Sequence, residues 1–350
     1  MDAAVTLRCR SMEAADGARW DAFVAAHPEG TFFHRAGWAS VLASGFGHTP
    51  HFLLAERGGE LVGVLPLVEV RTLLFGHGFV SSPFCVQGGP LAVDDAAEAA
   101  LLDEAAARTD RAGAASCELR GPVSEWLAGD VWRAMPPLYD TFRKRLPADE
   151  AAALKAIPRK QRAVVRKAID AGLQAHTDHA VEPFFSLYAE SVHALGTPVF
   201  ARRYVAALLD QFGDAVEILT VYDGASPICA VLAFSFRDQI LPYYAGGGVA
   251  SRTRGGHDFM YWALMTSAIA RGLTLFDFGR SKDGTGAHRF KRNWGFEPTP
   301  LRYVARLAAG AAMPERNPLN PKYRRMIALW KRLPLPVANA LGPHVVRGLG

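Results

Sequence analysis

The stretch AVEILTVYDGASPICAVLAFSFRDQILPYYAGGG, residues 215–248, decides how the second half of this chain folds. Two runs of aliphatic, aromatic and β-branched residues flank Asp223-Gly224, and glycine supplies the positive φ that a tight turn needs. The spacing predicts a hairpin. GGGVASRTRGGHDFMYW (246–262) then places glycines before a helical pattern, LTLFDFG (273–279) reads as a strand, and LRYVARL (301–307) as a last strand. Upstream, PRKQRAVVRKAIDAG (158–172) is a basic helix, with Pro158 suited to its start and Gly172 to its end. Helical spacing recurs over 182–195 and 201–212.

The first half follows the same order. AAVTLRC (3–9) is strand-like, 17–26 and 35–46 have helical spacing, and HFLLAERGGELVGVLPLVEV (51–70) is a hairpin turning at Arg57-Gly58-Gly59-Glu60. A strand near 73–81, a helix over 96–113 and the strand ASCELRG (115–121) follow, and YDTFRKRL (139–146) closes this half. The repeat is one of element order, not of residue identity. It predicts two like α/β (α+β) domains with mixed, mainly antiparallel sheets, over 1–150 and 151–310. Beyond them, 311–350 is a separate extension: a proline-broken linker, MPERNPLNPKY (313–323), and a basic amphipathic helix, KYRRMIALWKRL (322–333).

Composition narrows the class. At 350 residues, 50% hydrophobic and 21% charged, the chain can bury two cores of ordinary size. No run reaches the roughly 20 apolar residues of a membrane span, and the N-terminus lacks a signal-peptide pattern, so a cytoplasmic location is expected. The cysteines Cys9, Cys85, Cys117 and Cys229 show no ligand spacing, so neither a metal nor a disulfide framework is expected. Of the formal charge of +5, residues 311–350 alone carry +6. The basic balance therefore describes the extension, and a DNA-binding body is not expected.

FDFGRSKDGTGAHRFKRNWGFEP (276–298) concentrates the chemistry. Arg280, Ser281 and Lys282 follow a strand beside glycines, where two cations would grip a phosphate-bearing substrate. Asp277 and His288 are candidate base or orienting groups. Their alternatives are a turn cap and a hydrogen-bonded structural histidine, and Lys291 and Arg292 also read as solvated charges. Tyr244, before Gly246-Gly247-Gly248, reads either as facing a cleft or as ordinary core. His34 and Trp38 read as core packing.

The hairpin, the glycine-bearing loop opening a helix, the strand and a late Gly-Phe together resemble the GNAT acyltransferase fold. Members carry an [Arg/Gln]-x-x-Gly-x-[Gly/Ala] loop that wraps the acyl-CoA pyrophosphate. Here Arg252-Thr253-Arg254-Gly255-Gly256-His257 matches its first and fourth positions, which implies binding roles for Arg252, Gly255 and Gly256. GNAT enzymes often place a tyrosine acid just before the Gly-Phe; this chain has Phe290. The FemAB branch, two fused GNAT-like domains that attach amino acids to a peptidoglycan precursor using aminoacyl-tRNA, is a tighter resemblance. TFFHRAGWASVL (31–42) is similar to its N-terminal signature, and FKRNWG (290–295) to its Phe-Lys-x-x-[Phe/Trp]-Gly motif, which implies a reaction-centre role for Lys291. The stretches 276–303 and 317–343 further resemble FemAB-related proteins of exosortase/PEP-CTERM systems, which implies exopolysaccharide or envelope biosynthesis.

The expected activity is N-acyl or aminoacyl transfer to an amine on a sugar- or peptide-linked precursor. No tightly bound cofactor is expected; the co-substrate is aminoacyl-tRNA or acyl-CoA. A fixed cation aimed at the oxyanion of such a reaction contributes about 3–4 kcal/mol, a role Lys291 would fill as an ammonium; with its pKa depressed by burial it would instead accept the amine's proton. The alternatives are a conventional acyl-CoA-dependent N-acyltransferase and a catalytically inactive scaffold in a polysaccharide assembly complex. Expected partners are a phosphorylated or nucleotide-linked envelope precursor and, as an open alternative, tRNA; Arg159, Lys160, Arg162, Arg166 and Lys167 read either as a solvated face or as a site for such a phosphate-rich partner, tRNA or nucleotide-sugar. The 322–333 helix reads either as docked on the body through its Met-Ile-Leu-Trp face or as lying peripherally on the inner membrane.

Overall fold

A computed structural model describes residues 6–72, 75–121, 124, 131–313 and 321–350. In chain order it contains β1 (Leu7–Ser11), α1 (Gly17–Ala26), α2 (Trp38–Phe46), β2 (Thr49–Pro50), β3 (Leu53–Arg57), β4 (Glu60–Leu65), β5 (Leu67–Thr72), β6 (Gly76–Ser81), β7 (Leu91–Ala92), α3 (Asp95–Arg111), β8 (Ser116–Arg120) and β9 (Arg133–Ala134). The second half begins with β10 (Tyr139–Arg145), α4 (Glu150–Ala156), α5 (Arg159–Asp170), β11 (Gln174–Asp178), α6 (Phe184–Leu195) and α7 (Arg202–Phe212). It continues with β12 (Val216–Asp223), β13 (Ser226–Phe236), β14 (Gln239–Gly247), α8 (Val249–Arg254), α9 (Gly256–Ala270), β15 (Leu275–Lys282), α10 (Gly286–Asn293) and β16 (Pro298–Pro300). Last come β17 (Tyr303–Leu307), α11 (Pro321–Trp330) and α12 (Leu335–Val346). Most of the linker expected over 313–323 lies outside the described residues.

The chain divides into two compact units. One comprises Met1–Pro137, Leu301–Asn317 and Val345–Gly350; the other Leu138–Pro300 and Pro318–His344. This division differs from boundaries at 150 and 310, and the strand pairing gives the reason. β10 pairs antiparallel with β15 in the second unit, although the sequence reading assigned it to the first half. β17 returns to pair with β8 in the first. An isolated strand cannot satisfy its main chain, so each follows its ladder rather than its place in the sequence.

The second unit is built on a seven-stranded sheet ordered β11-β12-β13-β14-β15-β10-β16. Asp223-Gly224 makes the predicted hairpin turn, with Gly224 at φ +60°. The β12, β13 and β15 residues Leu219, Val221, Val231, Ala233 and Phe276 meet Met260, Leu264 and Ala268 of α9 and Val165 and Ala168 of α5 in one core. Each such large side chain contributes about 1.5–3 kcal/mol by leaving water. On β14, Gly246 is a close-approach glycine: a Cβ there would lie 2.4 Å from Tyr188 Cα of α6.

One pairing departs from the rest. β14 and β15 are parallel and bonded only at Gln239–Leu275 and Ile240–Phe276. Beyond these both strands run on, to Gly247 and Lys282, without pairing to each other. A register shift in the β13–β14 ladder between Leu232 and Ala233 falls at Pro242, which has no N–H to donate. The sheet therefore opens into a wedge between the two strand ends.

The first unit holds a four-stranded sheet, β1-β3-β4-β7, and a six-stranded one, β2-β5-β6-β8-β17-β9. The latter repeats the local pattern of the second unit: β5 is antiparallel to β6, β6 parallel to β8, and β8 antiparallel to β17. The molecule is thus a tandem of α/β units with mixed, mainly antiparallel sheets and a basic helical extension.

Candidate active site

The strand carrying the predicted cations is longer than the sequence implied. β15 continues through Lys282, because Gly279 at φ +63° absorbs a bulge and β10 keeps pairing at Thr141–Arg280, Asp140–Ser281 and Tyr139–Lys282. Arg280 and Lys282 therefore belong to the strand and are not in a loop beyond it. Both lie over the Tyr139 ring, with Arg280 Cζ 4.5 Å and Lys282 Nζ 5.3 Å from its centroid. Lys282 is buried; burial, followed by the charge of Arg280, brings its pKa down to about 8. Ser281 between them is buried.

Lys291 lies beneath the bulge. Thr285 caps α10, its Oγ1 accepting from the His288 N–H at 3.3 Å, and places His288 and Lys291, three residues apart, on the buried face. Lys291 Nζ donates to the carbonyls of Phe278 (2.6 Å), Gly279 (3.1 Å) and Arg280 (3.2 Å). It also lies 5.4 Å and 5.8 Å from the Phe142 and Phe278 ring centroids. Burial pulls its pKa down to about 7, and the charge of Asp277 opposes this. Three accepting carbonyls also favour the ammonium, which has three protons to give. Lys291 thus acts on the β15 main chain and presents its charge there.

Asp277 accepts from the Gly279 N–H at 2.7 Å and pairs with Arg143 Nε at 3.0 Å. Burial raises its pKa, with Arg143 opposing. His288 turns toward β10: its Nε2 lies 3.0 Å from Asp140 Oδ2, and its ring meets Phe142 edge-on at 5.1 Å. These contacts tie α10 to the sheet.

Across the wedge, Tyr244 shares a 3.0 Å hydrogen bond with the Tyr204 hydroxyl, among Tyr188, Phe200 and Tyr243. The loop predicted to open the next helix is itself helical. Gly255, at φ +71°, both ends α8 and caps α9, and a Cβ on it would lie 2.7 Å from Val164 Cγ1 of α5. Gly256 is packed against Ser251, whose Oγ bonds His257 Nδ1 at 2.7 Å. Burial, then the charge of Arg252, lowers the His257 pKa. Arg252 is exposed, and Arg254 is held by both Asp223 oxygens at 2.8 and 2.9 Å. At the entrance of α8, the Glu190 carboxylate faces Gly248.

The structure therefore brings Asp277, Arg280, Ser281, Lys282 and Lys291 together around one strand end. It sets Tyr244 on the strand that diverges from it, and Arg252, Gly255 and Gly256 at the helix junction that follows. Tyr139, Asp140 and Arg143 escaped the sequence reading. Their signal was the alternation in YDTFRKR, read as a closing segment of the first half rather than as a partner for 276–282. Phe290 packs against Tyr261 and Trp294, and Trp294 Nε1 bonds Asp258 at 2.9 Å. Among the described residues no group of three or more His, Cys, Asp or Glu side chains is placed to hold a metal.

Known proteins share this framework. Residues 157–292 match the family model described as an acetyltransferase (GNAT) domain. The structure resembles FemX with a TM-score of 0.67 at 14% identity, over 86% of this chain and 97% of that one. It resembles the C-terminal domain of a putative lysylphosphatidylglycerol synthetase from Agrobacterium fabrum (TM-score 0.56, 12% identity, 85% and 93% covered). A tandem GNAT protein from the clavulanic acid biosynthesis pathway gives 0.53 at 13% identity, over 88% and 100%. No curated protein sequence matches. The fold is like that of tandem GNAT proteins, and the stretch that matches the GNAT domain lies in the second unit.

Proposed function

We propose that this chain transfers an acyl or aminoacyl group to an amine on a sugar- or peptide-linked precursor of the cell envelope or an exopolysaccharide. The observation that carries the reading is the wedge between β14 and β15, with Arg280 and Lys282 on the part of β15 that leaves β14, their charges over Tyr139 of β10, and with the Lys291 ammonium held on the β15 main chain. In the reaction the acceptor amine attacks the donor carbonyl, a C–N bond forms, and the ester or thioester bond breaks. Negative charge builds on the carbonyl oxygen in between, where preorganised positive charge acts most strongly. Lys291 contributes as a positioning ammonium, holding the 278–280 carbonyls and the bulge in place. Arg280 and Lys282 hold the phosphate-bearing substrate, and Asp277, steadied by Arg143, is the carboxylate available for the amine proton.

A phosphate-rich donor of the aminoacyl-tRNA kind fits better than acyl-CoA. The α8–α9 junction, where a GNAT loop would take a pyrophosphate, is packed by Val164 at Gly255 and faced by the Glu190 carboxylate at Gly248. The exposed face of α5 offers Arg159, Lys160, Arg166 and Lys167 to such a polyanion. The likeness to FemX and to a putative lysylphosphatidylglycerol synthetase domain favours the same chemistry. The 276–303 and 317–343 motifs support the exosortase-associated branch, and a cytoplasmic, membrane-peripheral position would bring an envelope precursor within reach.

A second reading, acyl-CoA-dependent N-acyl transfer, is favoured by the acetyltransferase-domain match. The third, an inactive scaffold, draws on the three bonds that occupy the Lys291 ammonium. Titrating the purified chain with charged tRNA, acetyl-CoA, long-chain acyl-CoA and amino-sugar nucleotides, with amide products read by mass spectrometry, separates them. Saturable binding of charged tRNA with aminoacyl transfer is expected. Saturable acyl-CoA binding with acylation, and no response to charged tRNA, overturns the donor assignment. No turnover and no saturable binding of either donor leaves the scaffold.

A further inference from the structure

The extension resolves a choice that the sequence left open. A basic amphipathic helix either docks on its own protein or lies on something else, and α11 does the first with one edge only. Ile327 packs over Gly196 at the end of α6: a Cβ on Gly196 would lie 2.6 Å from Ile327 Cγ2 and 3.1 Å from its carbonyl oxygen. Gly196, at φ +79°, leaves the room this contact uses. α12 docks in the same way through its small residues, with Ala338 buried and Gly342 against the Val199 main chain.

The larger apolar side chains point the other way. At 100° per residue, Leu329 lies opposite Ile327 on α11, with Arg325 and Arg332 on one side and Met326 on the other. Leu329 is 65% exposed and Met326 52%, so the face expected to dock as Met-Ile-Leu-Trp instead divides. On α12, Val337 and Leu341, one turn apart, are exposed beside the docked Ala338 and Gly342. Leu195, next to the Gly196 contact, is 68% exposed. Leaving these large apolar side chains exposed inverts what a helix seeking only burial would do.

The charges identify the occupant. Arg324, Arg325, Lys331 and Arg332 are exposed, and no acidic residue follows Glu315 in the sequence. A second copy seated on this face would bring like charges together. A nucleic acid would satisfy the cations but not Leu329, Met326, Val337 or Leu341. An anionic lipid surface satisfies both. Helices of 10 and 12 residues are too short to cross a bilayer but suit its interface. We propose that α11 and α12 form a dock for anionic membrane, with Leu329, Met326, Val337 and Leu341 entering the acyl boundary and Arg325 and Arg332 on headgroup phosphates.

The inference does not depend on the reaction assigned above, because its readout is binding alone. The full chain is sedimented with phosphatidylcholine vesicles, neutral or containing roughly a third phosphatidylglycerol. Binding to the anionic vesicles stronger by at least about tenfold, and weakened by high salt, is expected. Leu329→Glu and the pair Arg325→Glu/Arg332→Glu should each lower it by about tenfold or more, with thermal melting unchanged because these side chains are exposed. Equal affinity for neutral and anionic vesicles, or binding that survives these substitutions, overturns the proposal. So does a concentration-dependent dimer in ultracentrifugation that Leu329→Glu disperses in the absence of vesicle binding.

Discussion

The two units repeat one strand pattern and finish it differently. In the first, the strand parallel to its neighbour is β8, and its end is closed. Buried Arg120 meets buried Glu118 at 2.8 Å and donates to the Cys85 carbonyl at 3.2 Å, while the N–H groups of Gly88 and Gly89 cap the Arg120 carbonyl. In the second, the counterpart is β15, whose end carries Arg280 and Lys282 over an aromatic ring and a lysine beneath. The signature segments differ in the same way. In 31–38, Trp38 Nε1 donates to the Phe32 carbonyl, and His34 bonds Thr31 and the Gly89 carbonyl, its pKa lowered to about 3 by burial. That segment keeps its histidine neutral, and its one charge, Arg35, is paired with Asp21 at 3.6 Å. In 290–295 a cation is kept. Of two similar endings, one has its charge cancelled internally and one holds positive charge where β14 and β15 no longer pair with each other, and only the second is equipped to act on an anion.

The sharpest way to break this contrast is to open the closed ending. Replacing Arg120 by Met leaves Glu118 buried and unpaired, which costs about 3–5 kcal/mol in stability. Denaturant unfolding would show it, with activity per folded molecule retained. A loss under about 1 kcal/mol would mean that the first unit is not sealed by this pair.

The matching change in the second unit is Lys291→Met, which removes a charge from the site rather than from a closed core. A fall in amide formation of about a hundred- to a thousandfold, carried by kcat, is expected. Loss confined to KM would make Lys291 a binding group. Unchanged activity would reduce it to structure.

Much of this was legible in the chain itself. Asp223-Gly224 and Gly58-Gly59 announce their hairpins through the φ only glycine adopts freely, and the helices over 159–170 and 202–212 follow from their spacing. The fate of β10 was not legible. YDTFRKR is a strand wherever it pairs, and a strand's partner is set by a ladder far away in sequence. The reach of β15 was hidden for a related reason: Gly279 reads as a stop, and only the bulge opposite β10 makes it a continuation. The role of Lys291 depended on three carbonyl directions, which no side-chain pattern encodes.

Smaller effects sharpen the comparison further. Arg280→Ala and Lys282→Ala should each weaken binding of a phosphate-bearing donor by about tenfold and flatten its salt dependence, measured by titration calorimetry. Lys282 adds a sign that can be checked. Its pKa is lowered to about 8 by burial, so the cost of burying the ammonium stands in full below pH 8 and is relieved as pH rises toward the ordinary lysine value. Its contribution to stability therefore improves above pH 8 while donor affinity falls, and Lys282→Gln should abolish both trends. Affinity that is flat across pH 7–9 in the wild type would remove Lys282 from the grip.

The smallest expected effect tests what kind of transferase the second unit is. Phe290 stands where simple acetyltransferases of this fold often carry a tyrosine acid, and its ring lies 5.5 Å from Tyr261 and 6.1 Å from Trp294. Tyr261 has its own ionisation suppressed by burial. Phe290→Tyr adds one hydroxyl at the edge of this cluster. If the leaving group takes its proton from somewhere other than position 290, the rate stays within about twofold, against the hundredfold or more that a well-placed acid supplies. A new or greatly increased acetyl-CoA-dependent rate in the variant would show that only the proton was missing, and would move the second unit back among the ordinary acetyltransferases.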